Sequence, residues 1–592
     1  MKRAIFLLFF FLFVFSSSFA LELEITKQYE EDLVRRVQNV YTNKTPIYPL
    51  PKCGTSVMLE LNMVKEKLSP EARELLRPYL ARPSLTYTYN TPGGHFKIHY
   101  DTAGTNAVYH PSEDVNPANG IPDYVDRCAE AFDYVWVKEV DIMTYQQPPS
   151  DGSAGGDSRY DVYIVNLGYG YLGSTSPEFS TTPYWSYTSY IELANYYTGY
   201  GYPNQYDLMD VTVGHEFFHS IQFGYDYYEA YDSGWKPYWD EMSSTWMEDQ
   251  TYDNVNDYVG YLSYFFNYPW VSLKAFSSDF FSQPVRAYHS YASCVFPIYL
   301  SEKFGVGVMK GIWTECGRIP YNNTFAAIDT ALKPFGVDFD SAFKEFLVWN
   351  LFTDTRAEPS SYYSEGSSYP GINILNQQKH SVYPVNVTSV DSMPENLASN
   401  YVRFTPSAGP GGLAMTFDGA QTAQWVVPIV GYKSSGTDFI GAFSLNAQEE
   451  GSFDFYNWDD YDYIYMIAGV LTKDSSKYNY GYADTFKISL GVDQDNLPDK
   501  GEYALAQNYP NPFNSQTTLY YSLSEDGIVN ISIYNVLGQK VRGLCDGFQR
   551  IGTNKVSWDG KDDQYRDLPS GIYFYRIKTE NFELTKKMVL LK

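Results

Sequence analysis

Residues 211–249 read VTVGHEFFHSIQFGYDYYEAYDSGWKPYWDEMSSTWMED, and they hold two histidines four apart, His215 and His219, with Glu216 beside the first. On a helix, residues four apart share a face, so both imidazoles reach one metal ion while Glu216 lies close enough to act on a water held by that ion. That is the geometry of a zinc hydrolase site. With only 7 histidines in 592 residues, the pattern is not expected by chance.

Catalytic zinc takes a third protein ligand and keeps one position for water. Glu241 is the best candidate, because it opens a second helix-like run after a Tyr- and Gly-containing connection long enough to fold the chain back beside the first helix. Glu248, seven residues on, falls on the same face and is the reserve. It reads either as an orienting carboxylate for a histidine ring or as part of a solvated helix face.

His215-Glu216-Phe217-Phe218-His219, followed by Trp239, Glu241 and Trp246, resembles the gluzincin class of zinc metallopeptidases. Within that class it is most similar to secreted bacterial metalloproteases that carry an HEFFHxxQ helix, and the similarity covers roughly the first 360 residues. The resemblance implies an α+β peptidase domain, one catalytic Zn2+, Glu241 as third ligand and Glu216 as general base. No His-x-x-Gly-x-x-His continuation follows His219, which disfavours the metzincin arrangement. Similar enzymes use a Tyr or His to stabilise the oxyanion, and His289 and Tyr291, at the start of a later helical segment, are the nominees.

The chain carries 43 basic and 70 acidic side chains, a formal net charge of -27, which excludes nucleic acid as a partner and suits an extracytoplasmic protein. Residues 1–20 form a signal peptide: Lys2 and Arg3 precede an apolar run that ends in Ser18-Phe19-Ala20. No later stretch is apolar for long enough to span a membrane. The mature chain is therefore expected to be secreted, extracellular or held at the cell surface.

Residues 21–90 contain two amphipathic runs, 24–40 and 56–80, of a helical pro-segment that occludes the cleft or of a permanent wrap. The peptidase domain is expected over 91–365. Strands are predicted at 95–100 and 157–166, and a third, 189–195, is assigned by position as the edge strand that aligns an extended protein or peptide substrate. Between them Asp114, Asn116, Asn119 and Asp123 cluster around Gly120, which reads as a Ca2+ site or as an Asx turn with a helix cap. Helical patterns follow at 259–266, 292–304, 307–314 and 339–351.

Over 378–495 the helical pattern gives way to short alternating strands of a β-sandwich. Trp425 and Trp458 suggest a binding role there, with a structural accessory domain as the other reading. The last unit, 500–592, alternates in the same way. Its LAQNYPNPFN (505–514) and LPSGIYFYRI (568–577) resemble the C-terminal sorting domain of the type IX (Por) secretion system, immunoglobulin-like in shape. That likeness implies contact with the outer-membrane secretion machinery.

The fold class expected is thus multidomain, an α+β gluzincin-like metallopeptidase followed by two all-β, immunoglobulin-like sandwiches. The function expected is a secreted zinc endopeptidase, with a non-catalytic surface-binding protein on the same scaffold as the alternative. Five cysteines are an odd number, so pairing within the chain is incomplete; Cys294 with Cys316 and Cys53 with Cys128 are the suggested bridges.

Overall fold

The computed structural model describes residues 25–591 except 47, 230–235, 319–323, 407–411, 435–437, 457, 474–475, 488–502 and 509. The expected signal peptide lies outside the described residues, as does part of the connection between the two site helices.

A six-stranded mixed sheet organises the first part of the chain. Its order is β1 (Lys52–Cys53), β5 (Tyr171–Ser180), β6 (Tyr187–Ala194), β4 (Tyr160–Val165), β3 (Phe96–Tyr100) and β2 (Tyr87–Asn90). β3, β4 and β6 run parallel, and β5 turns back antiparallel to β6. β4 and β6 are buried along almost their whole length, as expected of strands covered on both faces. The strands expected at 95–100 and 157–166 are therefore present.

The strand at 187–194 is not at the edge. β5 lies outside it, and the sequence conceals β5 because Gly170, Gly173 and Pro177 make the stretch look like a turn. The outer edge of β5 is covered by the two residues of β1, with Lys52 opposite Tyr171 and Cys53 opposite Gly173.

Helix α1 (Lys27–Thr42) forms as expected, whereas the run at 56–80 divides into α2 (Thr55–Val64) and α3 (Pro70–Leu76). Ser69 restarts the helix by accepting a hydrogen bond from the Ala72 N–H at 3.2 Å, with Pro70 in the first turn. After α4 (Asp123–Val135) come the site helices, α5 (Gln205–Asp226) and α6 (Tyr238–Thr251). Asn204 caps α5 by accepting from the Tyr206 N–H at 3.2 Å. From Leu208 onward α5 is buried on nearly every side because it lies between the sheet and α6, so His215, Glu216, His219 and Gln222 have no access to bulk water.

The helical second half is more finely divided than its periodicity suggests. The run at 259–266 resolves into a 3-10 turn and the one-turn α7 (Ser263–Phe266). The run at 292–304 breaks at Ser293, between α8 (Pro284–Ala292) and α9 (Val295–Phe304). α10 (Gly307–Cys316), α11 (Thr324–Leu332), which was not foreseen, and α12 (Phe339–Trp349) complete it.

A β-sandwich follows. One sheet runs Glu450–Phe455, Gly412–Gly419, Tyr480–Lys487, Val385–Val387; the facing one centres on Ser399–Phe404, Tyr463–Val470 and Pro428–Tyr432. Trp425 and Trp458 are buried in its core, so they pack rather than present a binding surface. Tyr401, Val430, Tyr465 and Ile467 instead join the core of the preceding domain, and the Tyr401 hydroxyl donates to the Leu347 carbonyl of α12 at 2.7 Å.

The last unit has a three-stranded and a four-stranded sheet around its own core of Leu519, Ile531, Trp558, Tyr575 and Met588. All five cysteines are free thiols. Neither suggested disulfide forms, and four of the five cysteines are buried at separate places in the helices and sheet.

Candidate metal centre

His215 and His219 project from one face of α5 toward Glu241 in the first turn of α6. Their Nε2 atoms stand 3.1 Å apart, and Glu241 Oε2 lies 3.4 Å from His215 Nε2 and 3.8 Å from His219 Nε2. At that spacing the carboxylate is an ion-pair partner, and neither of its oxygens has a hydrogen-bond donor although both are buried. A buried carboxylate without a hydrogen-bond donor beside two converging imidazoles is an arrangement that could hold a cation.

A fourth donor is present that the sequence did not reveal. Cys53 Sγ lies 3.6 Å from His219 Nε2, and the ligand atoms of Cys53, His215, His219 and Glu241 all fall within 4.8 Å of one another. Four such donors around one tetrahedral zinc stand about 3.3–3.6 Å apart, given bonds of about 2.0–2.3 Å, so the residues present fit the ion. No local signal marked Cys53, since the suggested bridges joined it to Cys128 and left Cys545 as the odd thiol.

Both imidazoles are oriented from behind. His215 Nδ1 donates to Glu248 Oε1 at 2.7 Å, and Glu248 in turn pairs with the buried Lys52 ammonium, which also reaches Asp257 Oδ2 at 2.7 Å. His219 Nδ1 donates to Gln222 Oε1 at 2.7 Å. The Gln222 amide is fixed by the Asp240 carbonyl at 3.0 Å and by Ser243 and Ser244 at 3.1 and 3.0 Å. Each ring is thereby held as the tautomer that turns Nε2 inward.

The electrostatics agree. Burial pulls His215 down, but Glu241 and Glu248 outweigh it and carry the ring up to about 9. Burial pushes Glu241 up, but His215 and His219 outweigh it and hold the carboxyl down to about 2. Each group thus favours the charged form of the other.

Glu216 points from α5 toward β5. Its Oε2 accepts from Thr55 Oγ1 at 2.7 Å and lies 2.8 Å from Thr175 Oγ1, while Oε1 is buried with no partner. A Cβ at Gly173 would lie 2.6 Å from Glu216 Cγ, so only glycine leaves this carboxylate its place.

Of the two oxyanion nominees the structure brings in one. The Tyr291 ring packs 6.0 Å from that of His215, centroid to centroid, and its hydroxyl donates to the Pro51 carbonyl at 3.2 Å. His289, two residues earlier and so on another face of α8, bonds Ser293 Oγ at 3.1 Å and packs on Phe265. Burial, with Arg286 adding to it, pulls His289 down to about 3, so it is a neutral core residue and not part of the site.

At 114–123 the carboxylates serve the turn. Asp114 accepts from the Asn119 and Gly120 N–H groups at 2.8 Å each, and Asp123 from those of Val115 and Asn116 at 2.8 and 3.1 Å. Asn119 Oδ1 closes the loop on the Ile121 N–H at 2.8 Å, the Asx-turn arrangement.

No curated protein matches the sequence. Among solved structures the chain aligns with PorZ of Porphyromonas gingivalis at 10% identity, over 28% of this chain and 22% of that one, with a TM-score of 0.12. It aligns with latent PorU of the same organism at 14% identity, over 38% and 21%, with a TM-score of 0.14. A β-1,2-glucanase of Parabacteroides distasonis gives 9% identity, 35% and 36%, and a TM-score of 0.12. The chain thus spans only about a fifth to a third of these proteins, and at such scores none bears on what it does. One family is recognised within the chain: residues 507–591 match the secretion system C-terminal sorting domain, which marks this protein for export by the type IX route to the cell surface or the extracellular space.

Proposed function

We propose that this is a secreted zinc-dependent endopeptidase. The observation that carries the reading is the buried convergence of His215, His219 and the orphaned Glu241 carboxylate beside the free oxygen of Glu216. His215, His219 and Glu241 would hold the zinc ion, which when bound would supply Lewis acidity to a water and a substrate carbonyl near neutral pH. Glu216 then takes the water's proton on Oε1 and passes it to the leaving amine. Glu248 and Gln222 hold the imidazoles in register. Tyr291 stands over His215, where its hydroxyl, released from Pro51, donates to the developing oxyanion. The edge of β5 that β1 covers is the one against which a peptide substrate would pair.

The test measures zinc content and casein hydrolysis for the wild type and Glu216→Gln, each intact and after cleavage of the N-terminal segment. About one zinc per chain is expected in both proteins, with hydrolysis lowered about 10²–10⁴-fold by the substitution. Zinc with equal, unmeasurable hydrolysis in every form would favour a non-catalytic binding protein. Absence of zinc would sink the reading.

A further inference from the structure

Resting on that zinc reading, we infer that Cys53 is the fourth donor of the metal centre and that residues 51–55 form a built-in plug that keeps the protein latent. A hydrolytic zinc site keeps one position open, whereas four protein donors describe a closed site. Here the four donors converge, yet a carboxylate base with a free buried oxygen sits beside them. The two facts are reconciled if the fourth donor is removable.

Consecutive residues of the plug engage each working part. The Pro51 carbonyl takes the Tyr291 hydroxyl at 3.2 Å, and the Lys52 ammonium binds Glu248, which orients His215. Cys53 Sγ faces His219 Nε2 at 3.6 Å and accepts from the Thr55 N–H at 3.3 Å. Thr55 Oγ1 donates to Glu216 Oε2 at 2.7 Å. A substrate carbonyl, its water and the Cys53 sulfur all compete for the same position, so no peptide bond is cut while the plug is seated.

The backbone of the plug also occupies the edge that a substrate would pair with. The Lys52 N–H donates to the Gly170 carbonyl at 2.8 Å and the Gly54 N–H to the Gly173 carbonyl at 2.9 Å. Lys52 has φ 63°, a left-handed conformation that a lysine adopts only under constraint from its surroundings. Both ion pairs of its side chain hold it there. Because the plug presents a thiol where a substrate presents a carbonyl, it blocks the centre without being consumed.

The connection that follows the plug segment is exposed. β1 contributes two residues to one edge of the sheet, and the chain reaches the opposite edge, β2, through residues 81–87, of which 81, 84, 86 and 87 are exposed. Proteolysis there severs the plug segment and leaves β2 to β6, α5 and α6 unbroken.

The experiment uses the chain from residue 25 onward with cobalt(II) in place of zinc. A sulfur-to-cobalt charge-transfer band in the near ultraviolet is expected for the wild type and is lost in Cys53→Ala, which still binds one metal per chain. The zinc form of Cys53→Ala, and wild type cut within 81–87, should each hydrolyse casein at least about tenfold faster than intact wild type, since both open the position. Metal bound without the band in the wild type overturns Cys53 as a donor while leaving the zinc reading intact. A band with no gain in hydrolysis from either the variant or the cut overturns the plug. Failure to bind cobalt or zinc at all overturns the underlying reading instead.

Discussion

At the residue scale, the proposed centre depends on groups outside the four candidate donors. Glu248 is the clearest: it fixes His215 through Nδ1 and is itself neutralised by Lys52, so it joins the plug to the histidine. Glu248→Gln keeps the shape but removes the acceptor charge, and zinc affinity should fall about 10–100-fold, as read by competition with a chelator. Unchanged affinity would mean that the imidazole is positioned by packing alone. His215, Glu216 and His219 were legible in the sequence because the helical repeat fixes their spacing. Cys53 was not, because it lies 162 residues before His215 and meets it only through the pairing of β1 with β5.

At the element scale, α1 is fastened to the sheet by a titratable contact. Tyr41 Oη donates to Glu192 Oε2 on β6 at 2.7 Å, and burial lifts Glu192 from its ordinary 4.5 to about 7 in spite of that hydrogen bond. Between these values the folded chain holds a proton that the unfolded chain has lost. The contribution to stability is therefore full below about 4.5 and is lost as the pH rises through about 7. Its size is on the order of 3 kcal/mol at most. Thermal unfolding of Glu192→Gln should consequently vary less between pH 5 and 8 than that of the wild type, which should lose stability across the same window. Parallel profiles would show that Glu192 titrates alike in both states. At this scale strands and helices were legible where periodicity was clean, as in α1 and β4. Periodicity missed β5, where Gly173 makes room for Glu216 and Pro177 stands at a shift in register with β6 rather than in a turn.

At the scale of the whole molecule, the units differ in how they are joined. The middle sandwich shares a core with the helices through Tyr401, Tyr465 and Ile467, so it buttresses α12. The sorting domain closes a separate core of its own. Deleting 507–591 should leave metal content and the unfolding of the remainder within error of the full chain, while blocking export; cell fractionation would then find the protein retained inside the outer membrane. Arrival of the truncated chain outside the cell would show that export does not need this domain. Among the described residues no helix is long and apolar enough to cross a membrane.

The sequence by itself determined whatever is encoded at short range: three residues on one turn-and-a-bit of helix, the alternation of the two sandwiches, and the phrases of the sorting domain. These survive being read one-dimensionally because a helical face and a strand face are fixed by spacing alone. Tertiary structure alone decided which strand is the edge, that Tyr291 and not His289 faces the histidines, and that Cys53 sits beside His215, His219 and Glu241. Those outcomes depend on contacts between residues far apart in the chain, formed when α1, α2 and β1 dock across the sheet and α8, and no local pattern carries them.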